Sequence, residues 1–539
     1  MPRATAAGSS LPFFFSDFVS MKYIVSRLLL SAALLGPVAL APARAAELVE
    51  LRQPNAAKVV VKLQFRNGSA ADPVGKEGLT YLTSQLLTEG GTKDLTAAQL
   101  KDLLYPMAAR YYATTDKEVT TFTFEFHRDF IDKFYPVLRG LMLTPSFTQE
   151  DFDRLKSNQL NYVEQLIRAS SDEDYSKFAL EDQLFRGTRY QHMTRGTAAG
   201  VKSITLDDVK KYYASAFGQN NLTIGLAGNY PASFAKQLER DLGKLPKSSV
   251  KAPIPVAAMP KGIHVEIISK PDALGSAVYA GFPIQTTRAQ DDFAALMVAN
   301  SWLGEHRKSY GKLYDKIRTT RSMNYGDYSY IEWYEAGGNN MLPVPGVPRH
   351  ANYTSIWLRP VQIAEGLRKQ YPSELGNLTV GHAPFALRLA VREMDNVVKN
   401  GMSKEDFERT RTFLRSYVKL YGTTPAKQLG FLLDSRFYGR KDWLQEVDGQ
   451  LAKLTLDDVN RAMRKHWQVQ NMFVTIVTDD SEAQPLADVL KSNTPSPMSY
   501  ANVVKAGLPQ AVVAEDAEVA NYKLNVTEVK VIDTNDTFR

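Results

Sequence analysis

Arg318 and Tyr325 stand seven residues apart in Leu313-Tyr-Asp-Lys-Ile-Arg318-Thr-Thr-Arg-Ser-Met-Asn-Tyr325. A guanidinium and a phenol are donors that stay in place as negative charge develops on a carbonyl oxygen, so the pair suits oxyanion stabilisation. Spacing alone leaves the matter open, because an Arg and a Tyr seven apart are more often a helix-end charge and a strand aromatic. Arg321 competes for the cationic role, although it lies too near Tyr325 for the same spacing. Metal chemistry finds little support. The seven histidines are His127, His192, His264, His306, His350, His382 and His466, and no two lie within 31 residues of each other. A helical or hairpin pair of imidazoles is thereby ruled out, and each reads as a surface or partly buried side chain. The chain has no cysteine, which removes thiol catalysis, disulfides and cysteine-ligated metal.

The elements that must position such residues show themselves as a repeat. Ile204-Thr-Leu-Asp-Asp-Val209 returns as Leu454-Thr-Leu-Asp-Asp-Val459, an offset of 250 that also sets Phe217 over Trp467 and Asn221 over Asn471. Each copy predicts an N-capped amphipathic helix, a short turn and then a strand, at 222–227 and 472–477. Phe147-Thr-Gln-Glu-Asp-Phe152 likewise matches Met402-Ser-Lys-Glu-Asp-Phe407 at an offset of 255, with Tyr162-Val163 over Tyr417-Val418. Two matches in the same order at nearly the same offset indicate duplication, because similar helix caps arising by chance would account for only one. The halves run over 46–248 and 262–493, joined by a Pro-, Ala- and Val-rich linker at 249–261. Strands are expected at 59–65 and 119–126, helices at 156–168 and 207–217, and loops at 342–350 and 371–382. The class is α+β: two duplicated domains, each a mostly antiparallel sheet flanked by helices. Residues 494–539, with a strand-like run at 529–532, read as an appended tail.

Composition bounds the remainder. Apolar residues make up 44% and charged residues 23%, enough to bury sizeable cores. Met21-Lys22 and Arg27, an apolar run at 28–41 and Ala43-Arg44-Ala45 have the form of a secretory signal with cleavage before Ala46. That pattern predicts export to the periplasm, starts its logic at Met21 and leaves residues 1–20 without a role. The apolar run is short and interrupted by Gly36-Pro37, and no later segment predicts an integral membrane span. Cleavage would remove four basic and one acidic residue, taking 65 and 58 to 61 and 57, a net +4. So small an excess, with no dense basic stripe, makes no case for nucleic-acid binding.

Phe65-Arg-Asn-Gly-Ser69, Gly75-Lys-Glu-Gly-Leu79, an intervening helix and Glu89-Gly-Gly-Thr92 resemble the opening of the insulinase/pitrilysin metallopeptidases. A strand at 276–282 and a helix at 291–303 open the second half in the corresponding way. The resemblance spans almost the whole chain after Ala46 and implies two domains forming half of a clamshell. In that family His-x-x-Glu-His on the first helix places two imidazoles on one face to bind zinc, with the Glu as base. Here the five residues are Tyr81, Leu82, Thr83, Ser84 and Gln85. A phenol, an amide and a hydroxyl cannot replace two imidazoles and a carboxylate, so no zinc is expected on this chain. Glu164 falls near the family's third ligand and, without the histidines, reads as part of a solvated helix face.

The same resemblance lifts Arg318 and Tyr325. Family members carry an Arg and a Tyr at this spacing that reach across the chamber to hold substrate backbone and oxyanion. Some members divide the work between two chains, one with the zinc helix and one with the Arg–Tyr pair, and this sequence resembles the second kind. The resemblance therefore implies a homologous zinc-bearing partner, peptide or unfolded protein as substrate, and no activity alone. The alternative is a non-catalytic binding or scaffold protein on the same fold. A stretch at 361–381 departs from the family pattern and predicts an inserted surface loop. The aromatic cluster Tyr325, Tyr328, Tyr330, Trp333 and Tyr334 could meet peptide, though its spacing suits a half-buried strand.

Overall fold

The computed structural model describes residues 46–250, 254, 256–332 and 349–538. The expected signal segment with its cleavage point before Ala46, part of the linker, Trp333, Tyr334 and most of the expected 342–350 loop lie outside these residues.

The first half contributes β1 (Glu47–Arg52), β2 (Lys58–Phe65), β3 (Arg110–Thr115), β4 (Thr120–His127) and β5 (Leu222–Gly228), in the order β1-β5-β2-β4-β3. The second contributes β6 (Ile263–Ser269), β7 (Ser276–Ile284), β8 (Asp327–Tyr330), β9 (Asn352–Val361) and β10 (Met472–Thr478), followed by β11 (Val526–Asp533). Its order is β11-β6-β10-β7-β9-β8. Leaving out β11, the second order repeats the first strand for strand, as a duplicated unit should. The fold is α+β, with two sheets flanked by helices.

Two details go beyond the expectation. The sheets are mixed: β2, β3, β4 and β5 pair antiparallel, whereas β1 runs parallel to β5. In the second sheet β6 is parallel to both β10 and β11. Parallel pairing needs a long crossover, and the helices between the first and last strands of each half provide one. The C-terminal residues are also more than an appended tail. β11 supplies the second sheet's outer strand, and the turn after it reaches the first half. There Tyr175 Oη lies 2.8 Å from Thr534 Oγ1 and 2.6 Å from Thr537 Oγ1, and Arg168 Nε donates to the Thr534 carbonyl at 3.0 Å.

The duplicated caps are built alike. Thr205 and Thr455 each accept from the amide three residues on, and the Asp at that position reaches back, giving two capping boxes. Thr148 and Ser403 cap the other repeated pair of helices. Each cap is worth about 1 kcal/mol.

Alternation along the strands sorts the cores. Val59, Val61, Leu63 and Phe65 of β2 face Leu82, Leu86 and Leu87 of the helix Leu79–Glu89. The opposite face, with Val60 and Ala227, packs on Leu429 and Leu433 of the helix Pro425–Phe437 from the second half. Gly225 lets the two leucines pack close, because a Cβ there would lie 2.9 Å from Leu433 Cδ1 and make it shift. The second sheet is covered reciprocally. Leu180 and Leu184 of the first-half helix Asp172–Leu184 pack with Ala277, Tyr279 and Trp357. Between the halves, buried Asp434 accepts from Arg288 at 3.0 Å and from Arg349 at 2.9 Å, and Arg349 also reaches Asp116 of the first half at 2.8 Å.

Candidate functional site

The helix Leu79–Glu89 carries the five positions where a zinc motif would stand. Gly78 at its N-terminus has φ 101° and no side chain to cap with. The buried Asp72 carboxylate substitutes, accepting from Gly78 N at 2.7 Å, Thr80 N at 2.7 Å and Thr80 Oγ1 at 2.6 Å. An acid at the positive helix end holds the motif face rigidly. On that face Ser84 is buried, its hydroxyl donating to the Tyr81 carbonyl at 2.7 Å and lying 3.2 Å from Thr115 Oγ1. Gln85 Nε2 lies 3.5 Å from Ser84 Oγ.

Glu164 sits in a π-helical segment, Tyr162–Leu166, and is ion-paired with Lys202. A π-helical turn in an α-helix often marks a present or former functional position. Sequence reasoning missed the residue that completes this place, Arg195. Its guanidinium carbon lies 3.7 Å from the Tyr162 ring centre and 5.2 Å from that of Tyr81. Such cation–π contacts contribute about 1 kcal/mol, more when shielded from water. A phenol, an amide, a neutralised carboxylate and a resident guanidinium do not form a zinc donor set, so the residues present do not fit the metal. No cluster of three His, Cys, Asp or Glu side chains suited to a metal occurs among the described residues. The histidines are dispersed in other contacts: His192 lies 3.1 Å from the Ser69 carbonyl, His466 meets Asp292, and His350 meets Glu118. His382 is buried, which pushes its imidazole down to about 4.

In the second half, Arg318 lies on another π-helical segment, Tyr314–Thr319, and Tyr325 on the turn leading into β8. Together with Ser322, Asn324, Pro360 and Gln362 they line one cleft of about 480 Å³. Asn324 builds the turn: its Nδ2 donates to Asp327 Oδ1 at 2.7 Å and to the Arg359 carbonyl at 3.0 Å, and its Oδ1 accepts from Gly326 N at 3.1 Å. A side chain at position 326 would collide with Tyr328 Oη at 2.3 Å, so only glycine lets the turn close. Tyr325 is left 77% exposed. Arg318 stacks at 4.8 Å on Tyr314 of its own turn and has no carboxylate within ion-pair distance among the described residues. Burial pushes the nearby Asp327 carboxyl well up, against the pull of Asn324, Arg359 and Arg318.

Arg321 behaves differently. Buried, it donates from Nε to Asp516 at 2.7 Å and from Nη2 to Glu515 at 2.8 Å, both on the C-terminal helix Gln510–Asn521. That ion pair is structural, and it leaves Arg318 as the cation beside Tyr325. Tyr328 and Tyr330 are strand residues of β8, with Tyr330 4.0 Å from Trp357. The 361–381 stretch holds helices Ala364–Gln370 and Pro372–Leu375 where a loop was expected. Buried Glu482 fastens both its ends, accepting from Ala364 N at 2.6 Å and Gly381 N at 2.8 Å.

A family model described as Insulinase (Peptidase family M16) matches residues 48–198, and one described as Peptidase M16 inactive domain matches residues 203–351. The chain is 24% identical over 423 residues to the non-peptidase homolog YmxG of Helicobacter pylori (strain ATCC 700392 / 26695), covering 78% of this chain and 88% of that one. It is 22% identical over 302 residues to the uncharacterized zinc protease YmxG of Bacillus subtilis (strain 168), covering 54% and 69%. A solved peptidase M16 inactive domain from Pseudomonas fluorescens shares the fold with TM-score 0.68 at 20% identity, over 81% of this chain and 96% of that one. No described helix is long and apolar enough to cross a membrane. Matched by both models in chain order and folded like that inactive domain, the chain belongs to the insulinase (M16) peptidase family, as a member without the His-x-x-Glu-His motif.

Proposed function

We propose that this chain is the non-zinc subunit of an exported, periplasmic endopeptidase that acts on peptides or unfolded protein. A homologous partner carries the zinc and the general base. The present chain binds substrate: Arg318 and Tyr325 donate hydrogen bonds to the peptide carbonyl and hold them as charge accumulates on its oxygen. The observation that carries this reading is the shared cleft, in which Arg318 has no carboxylate partner among the described residues while Arg321 is consumed by Glu515 and Asp516.

The test is reconstitution. Purified alone, the chain should retain no stoichiometric zinc and cut no peptide. Mixed with an exported homologue that carries His-x-x-Glu-His, it should restore cleavage, and Arg318→Ala should lower kcat/KM about 100-fold. Undiminished cleavage by that variant would sink the assignment.

A second reading, a non-catalytic binding or scaffold protein, is favoured by the Helicobacter relative, described as a non-peptidase homolog. It predicts peptide binding without cleavage in any mixture, and no exported zinc-motif homologue in the same genome.

A further inference from the structure

We propose that the first half has exchanged its metal ion for two side-chain cations, Arg195 and Lys202, which brace the former ligand positions and keep a divalent ion out. Lys202 neutralises Glu164, which falls near the third ligand position, and Arg195 lies over Tyr81 and Tyr162. One ammonium and one guanidinium together carry the charge of one dication. They are spread over groups that suit them, a carboxylate and two π faces, where a zinc ion would want imidazoles.

The backbone that delivers Arg195 is fitted to the task. Gly196 has φ +86°, and a Cβ there would stand 2.0 Å from the Glu77 carbonyl oxygen. A Cβ on Gly78 would stand 2.7 Å from the Arg195 carbonyl oxygen. Two glycines therefore let this loop lie directly against the start of the motif helix. Gln159 clamps the contact, its Nε2 donating to the Gly78 carbonyl at 3.0 Å and the Arg195 carbonyl at 2.8 Å. With its backbone clamped, the guanidinium is held against both rings. This inference uses neither Arg318 nor Tyr325, so it stands or falls separately from the subunit reading.

The experiment is zinc uptake from zinc chloride by the full chain in two restored forms. One carries Tyr81→His, Ser84→Glu and Gln85→His; the other adds Arg195→Gln and Lys202→Gln. After desalting, the first should keep less than about a tenth of an equivalent of zinc and the second about one equivalent. Zinc should also raise the Tm of the second by about 3 °C. Full loading of the first form would overturn the proposal, and so would failure of the second to load. Should the restored forms not fold, Arg195→Gln alone decides. A fall in Tm of about 2 °C that Arg195→Lys partly recovers supports the proposal, and an unchanged Tm overturns it.

Discussion

Each half holds one π-helical segment among the described residues, and the two segments treat their neighbouring arginine in opposite ways. In the first half the ring of Tyr162 lies under Arg195, and Glu164 two residues on is held by Lys202. The charges there are spent on holding the protein together. In the second half Arg318 shares only a ring of its own turn, while Arg321, three residues on, absorbs the nearby carboxylates. One arrangement commits its cations to neighbouring groups, and the other leaves an arginine at the edge of an open cleft. Which an arginine serves depends on whether its counter-charges or π faces come from elsewhere in the fold.

Exchanging arginines is the sharpest way to break this comparison. Arg321→Ala takes the only paired guanidinium among the described residues from buried Asp516 and should destabilise the chain by about 3 kcal/mol, read as a shifted denaturation midpoint. Arg318→Ala should leave that midpoint within about 0.5 kcal/mol of the parent. Its cost should fall on the assembled enzyme, as about 3 kcal/mol of lost transition-state stabilisation in kcat/KM. If the two variants behaved alike in the melt, the division between structural and available arginine would be wrong. Tyr325→Phe removes one donor from an exposed ring and should lower kcat/KM about tenfold without changing stability.

Acid offers the mildest test. Burial raises the Glu515 carboxyl, but hydrogen bonds from Lys316 and Arg321 outweigh it and hold the group below its usual 4.5. A depressed acid binds fewer protons folded than unfolded, so its contribution is present above 4.5 and fades as pH falls through the folded value. Glu515→Gln should therefore flatten the decline in Tm below pH 4.5, whereas Arg195→Gln should leave that slope unchanged, since a guanidinium over aromatic rings does not titrate there. A slope altered by Arg195→Gln would show that Arg195 itself depends on an ionised carboxylate.

Much of the scaffold was readable from local signals. Thr148, Thr205, Ser403 and Thr455 announce helix starts because a cap is decided by three or four adjacent residues, and the repeat follows from them. The parallel partners of β1 and β6 were not legible, because pairing direction depends on where a distant strand returns. β11 was visible as an apolar run, yet nothing in it names β6 as its neighbour. The Arg–Tyr pair could be seen by spacing, but choosing Arg318 over Arg321 required Glu515 and Asp516, contributed by a helix near the C-terminus. Arg195 itself left no signal, since Tyr81 and Arg195 meet only after the chain has folded back between them. Gly196 beside it was the one clue, and glycine is too common in loops of every kind to single this one out.

The reciprocal covering of the two sheets has a consequence for how the chain comes into being. As the polypeptide emerges from its N-terminus, β2 and β5 are complete long before the helix Pro425–Phe437 exists to cover Val60 and Ala227. The early half must wait with a bare, adhesive face, and a fragment ending near residue 250 would keep that face for good. Such a fragment should be recovered in aggregates, and adding the later half in trans should rescue its solubility.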